Sequence, residues 1–77
     1  MLRIEVERLI GWWWDVYSKN NKMILESAQI VKCKSTVMKA VNNFISTTGM
    51  TVVSETKHRD GTVTILVKKV QKYVIRI

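Results

Sequence analysis

The apolar residues of this sequence change their period at Gly49, and that switch constrains the fold more than any other feature. Before it, in "KSTVMKAVNNF", Val37, Val41, Phe44 and Ile45 fall within about 80° of one another at 100° per residue. Ala40 closes the other edge of this apolar stripe. The spacing predicts a helix from about Lys34 to Thr47, with Gly49 as its stop. After Gly49, Thr51-Val52-Val53-Ser54-Glu55-Thr56 is rich in β-branched residues. His58-Arg59-Asp60-Gly61 contains a strong hairpin signal, and Thr62 to Val67 returns as a second strand. The tail, Tyr73 to Ile77, has the composition of a further strand.

Upstream, Leu2, Val6, Leu9, Trp13 and Val16 recur at steps of four, three, four and three, which predicts a first helix over about residues 2–18. Leu2, Ile4 and Val6 also alternate, as in a short opening strand, but the longer helical register is preferred. Ser18-Lys19-Asn20-Asn21-Lys22 is a loop by composition. Met23 to Val31 reads as a short second helix with Ile24, Ser27, Ala28 and Val31 on one side. The expected fold is therefore α+β: three helices, then a β-hairpin, with an optional C-terminal strand.

The 77 residues allow one domain, residues 1–77, and 47% hydrophobic content is enough for its core. Without proline and with only three glycines, the chain contains no linker or low-complexity tract. The net charge of +7 is unevenly spread. Residues 1–15 hold two arginines against three carboxylates. Residues 16–49 hold five lysines against Glu26, and residues 50–77 six basic groups against Glu55 and Asp60. Such a distribution suggests a side that faces a polyanion, most simply nucleic acid; a basic surface that only aids solubility is the alternative. Cys33 is the sole cysteine, so no intrachain disulfide forms, and a reducing cytoplasm fits. Glu5, Glu7 and Arg8 interrupt any signal peptide, and no stretch reads as a membrane span.

On the predicted third helix, the side opposite the apolar stripe carries Ser35, Lys39, Asn42 and Ser46, flanked by Thr36 and Asn43, with no acidic residue, and Lys34 at the helix start is a further candidate DNA contact. These residue types suit a DNA major groove. Asn pairs bidentately with adenine, Ser and Thr bond bases or phosphates, and Lys neutralises phosphate. A merely solvated polar face is the plainer account of the same pattern.

"KSTVMKAVNNF" followed by "GMTVVSETKHRDGTVTIL" resembles the winged helix-turn-helix domain, over about residues 23–69. Within that group it looks most like segments of phage and plasmid replication or regulatory proteins. The resemblance implies a recognition helix in the major groove and a wing, Lys57-His58-Arg59-Asp60, whose Lys57 and Arg59 touch the phosphate backbone. It also places Ser27 at the small-residue position of the first motif helix and Val37 at the apolar position of the recognition helix. Val31, Lys32 and Cys33 depart from the pattern, standing where glycine, an apolar residue and a capping serine are usual.

Catalysis is not expected, because Cys33 and His58 lack a third residue to orient them, and a zinc site would need more ligands than these two. No cofactor or metal is implied. Gly11-Trp12-Trp13-Trp14 is the remaining oddity: three consecutive helical residues span 200°, so one core cannot take all three rings. Trp12 or Trp14, with Ile10 and Tyr17, would then anchor a second subunit or a protein partner, or simply pack under the hairpin and tail. The expected protein is thus a double-stranded-DNA-binding, homodimeric regulator of transcription or accessory of replication or recombination, from a phage, plasmid or similar element. A protein–protein module working through the tryptophan face, or an RNA-binding basic domain, are the alternatives.

Overall fold

Alternation, not helical spacing, governs the first third of the chain. Leu2, Ile4, Val6, Trp12, Trp14 and Val16 all occupy even positions, and strand geometry sends alternate side chains to one face. The computed structural model, which describes residues 1–27 and 29–69, accordingly has an antiparallel hairpin here, β1 (Leu2–Arg8) and β2 (Trp12–Tyr17), paired from Arg3↔Tyr17 to Arg8↔Trp12. The expected helix over 2–18 is absent. Its stripe is a coincidence of spacing, since Leu9 lies in the turn between the strands and Trp13 on the opposite sheet face from Val6 and Val16.

The expected second helix is absent too. Met23–Glu26 forms a short edge strand, β3, against β2, and the chain then continues alongside β2 to a single bridge, Trp12↔Val31. The helix before Gly49 forms as the spacing predicts: α1 spans Lys34–Thr48, and Gly49 ends it at φ 69° with its N–H on the last-turn carbonyls. The predicted hairpin forms as β4 (Met50–Lys57) and β5 (Val63–Lys69). Residues 73–77, expected to add a strand, lie outside the described residues.

The five strands make one antiparallel sheet in the order β3-β2-β1-β5-β4, with α1 packed on one face. One helix on a mainly β sheet overturns the three-helix winged-helix architecture, because the helix that should precede the turn of such a motif is β3. Among the described residues the buried apolar core is entirely β-branched: Ile4, Val6, Val16, Val63, Ile65 and Val67 from the sheet, and Val37 and Val41 from α1. Such side chains fill a pleated surface well, which is why the sheet forms despite the accidental helical spacing. Trp12, Trp14, Phe44 and Ile45 border this core. Among the described residues no helix is long and apolar enough to cross a membrane.

Candidate nucleic-acid interface

The sheet register brings three distant segments to one end of the molecule. β1 meets β5 at Val6↔Val63, so the β1–β2 turn and the β4–β5 tip lie side by side. The Trp12↔Val31 bridge delivers the start of α1 to the same end. Trp12 is the hub: its backbone exchanges hydrogen bonds of 2.7 and 2.9 Å with Val31. The Arg8 guanidinium lies 5.5 Å from its ring centroid, the Lys34 ammonium 5.6 Å, and both are within cation–π range. A Cβ on Gly61 would sit only 3.4 Å from the ring edge.

The hairpin tip is held by its own bonds. His58 N–H donates to Thr62 (2.9 Å), and Gly61 N–H donates to His58 (3.1 Å). Asp60 accepts from both the N–H and the hydroxyl of Thr62 at 2.9 and 2.6 Å, and these donors hold its carboxyl below the ordinary value. The carboxylate is thereby turned onto its own loop, while Lys57 and Arg59 remain exposed.

α1 begins at this end and runs down the sheet to Gly49, burying Val37 and Val41. Ser35, Lys39, Asn42 and Asn43 are exposed on its outer side, Thr36 is exposed beside the groove between α1 and β3, and Lys34 is half-buried against Trp12. No acidic residue occurs between Glu26 and Glu55, so the whole helix lacks a carboxylate. The Cys33 side chain makes no capping bond at its start.

The other face of the sheet has the opposite character. Glu5, Glu7 and Asp15 gather there around Trp13, whose indole N–H lies 3.1 Å from Glu7 and 3.2 Å from Asp15. Partial burial, then the neighbouring Asp15, raises the Glu7 pKa above 4.5. The Thr64 hydroxyl donates to Glu5 at 3.0 Å; its one hydrogen is thus committed, and His58 Nε2, 2.8 Å away, must donate to it. Arg3 pairs with this group, 3.2 Å from Glu5 and stacked 4.8 Å over Tyr17. The first of these is an electrostatic pairing without hydrogen-bond alignment, since the Arg3 Nε–H has no hydrogen-bond partner.

The expected site residues are therefore partly united. Lys34, Lys57 and Arg59 meet at the Trp12 end, and Ser35, Thr36, Lys39, Asn42 and Asn43 continue from it along α1. The expected aromatic interface is dispersed. Trp12 and Trp14 are half-buried on the helix side, Trp14 against Phe44 at 5.4 Å, while Tyr17 faces the other way under Arg3 and Ile10 is 89% exposed in a turn. Arg8 has no signal in the sequence, because only the hairpin register shows that it reaches Trp12. Among the described residues no group of three or more His, Cys, Asp or Glu could hold a metal. Comparison of the chain with family models, curated proteins and solved structures gives no match.

Proposed function

We propose that the protein binds double-stranded DNA through the outer side of α1 and the cationic end around Trp12, as a regulator of transcription or an accessory of replication or recombination. The supporting observation is charge segregation. The helix layer presents lysines, amides and hydroxyls without a carboxylate, while the opposite sheet face concentrates Glu5, Glu7 and Asp15. A polyanion is drawn to the first and repelled by the second. Ser35 to Ser46 spans roughly 16 Å of helix, enough for one pass along a major groove about 12 Å wide. Asn42 and Asn43 supply base-reading amides there, and Lys39, Lys57 and Arg59 contact phosphate.

Asn42→Ala tests base readout. It should cost roughly 1–3 kcal/mol on a duplex site selected from a random pool, and much less on unselected duplex. Equal losses on both would remove Asn42 from base recognition, and a preference for RNA or single strands would overturn the duplex assignment.

A further inference from the structure

Leu9 and Ile10, in the turn between β1 and β2, are the two most exposed large apolar side chains among the described residues, at 79% and 89%. The turn that carries them is braced. The Leu9 N–H donates to the Gly11 carbonyl at 3.0 Å, and Trp12 is bonded to Val31 immediately behind it. Gly11 lies so close to Ile30 and to the Val31 carbonyl that a Cβ there would collide. Ile10 thus projects from a fixed base, and its exposure contributes nothing to the fold.

The surroundings of the turn select its partner. Arg8 precedes it, exposed Lys32 follows the bridge to Val31, and exposed Lys57 and Arg59 stand on the neighbouring hairpin tip. Arg8 and Lys34 meet at the Trp12 ring, between the turn and the start of α1. Carboxylates border the turn from the acidic sheet face: Glu5 and Glu7 beside Leu9, and Glu26 in the groove shared by Leu9, Ile10, Trp13 and Ile30. A polyanion therefore reaches the turn from the helix side, over Trp12. We propose that Ile10 is a wedge: with α1 in the major groove, the turn enters the adjoining minor groove, and Ile10 inserts between two base pairs and kinks the duplex. The inference rests on the duplex binding proposed above. The line of phosphates that separates the two grooves then falls on Arg8 and Lys34, while Leu9, beside the carboxylates, stays at the groove rim. Apolar wedges, Leu and Ile among them, act in this way in minor-groove binding. Pyrimidine–purine steps kink most easily, so selected sites should hold one at a fixed distance from the bases that α1 reads.

Energy transfer between dyes at the two ends of a selected duplex reads the bend, and a fluorescent adenine analogue at the kinked step reads the unstacking. Both are measured on the complex formed with the full chain. A chain that binds no duplex thus refutes the DNA reading itself, whereas binding without bending refutes the wedge alone. With the wild type, transfer should rise as a bend of roughly 20–90° requires, and the analogue should brighten. Ile10→Ala should bind with the wild-type salt slope, because it removes no charge, and should lose both signals; Ile10→Leu should restore them. Ile10 is exposed, so circular dichroism should find both variants folded like the wild type. A bend that survives in Ile10→Ala would overturn the inference. So would a free wild type that self-associates and becomes monomeric on that substitution, which would assign the turn to a protein contact.

Discussion

Val6 and Leu9 separate the observed hairpin from the helix that the spacing of the same residues suggests. Val6 is fully buried in β1, whereas Leu9 is 79% exposed in the following turn. Val6→Ala removes two buried methyl groups, about 0.8 kcal/mol each in transfer, and leaves a small cavity, for a total of roughly 2 kcal/mol. In a domain of this size that lowers Tm by roughly 8–16 °C. Leu9→Ala gives up little buried area and should stay within about 0.5 kcal/mol, or some 4 °C at most. If residues 2–18 were one helix, both side chains would share its buried stripe, and truncating Leu9 would cost roughly 2–5 kcal/mol. Thermal and urea denaturation of the two variants, followed by circular dichroism, decides between them. A loss at Leu9 equal to or larger than that at Val6 would refute the hairpin.

Two other substitutions report on local features. An acid whose pKa is raised by folding contributes stability that is complete below its unfolded value and fades as pH rises through the folded one. Glu7 is such a group, lifted above 4.5 by burial and by Asp15. Glu7→Gln should therefore change Tm little at pH 4 and raise it at pH 8, flattening the Tm-against-pH curve; an unaltered curve would show that the carboxyl pair is not coupled to folding. Gly61 has φ 88°, so Gly61→Ala should cost about 1–2 kcal/mol of backbone strain, seen as a lower Tm and a faster-unfolding hairpin. An unchanged Tm would contradict the turn geometry.

The sequence is legible where two signals agree and misleading where one stands alone. α1 has both its apolar stripe and a glycine stop, and the β4–β5 hairpin has β-branched strands around Asp60-Gly61. In residues 2–18 two periods compete. The even positions fit two strands once a turn is allowed at Leu9–Gly11, but the longer helical count uses Leu9 and Trp13, which face elsewhere. β3 carries no usable period, because an edge strand exposed throughout has no reason to alternate. The candidate site divides in the same way. The polar side of α1 follows from helical geometry alone, whereas the meeting of Arg8, Lys34 and Gly61 at Trp12 depends on strand pairing that no local pattern encodes.

That α1 and the Trp12 end meet DNA, while the sheet face of Glu5, Glu7 and Asp15 does not, is the central claim, and the salt dependence of duplex binding tests it most directly. Two variants remove the same charge from different places. One replaces Lys39, Lys57 and Arg59 by alanine, on α1 and at the hairpin tip. The other replaces Lys19, Lys68 and Lys69, all exposed, which lie in the β2–β3 turn and in the last part of β5, toward the opposite end of the sheet. The slope of log K against log salt should fall by about 0.9 for each phosphate that the first variant no longer neutralises, and the second should keep the wild-type slope. Equal reductions in the two variants, or a reduction confined to the second, would contradict the assignment of α1 and the Trp12 end as the DNA-binding surface.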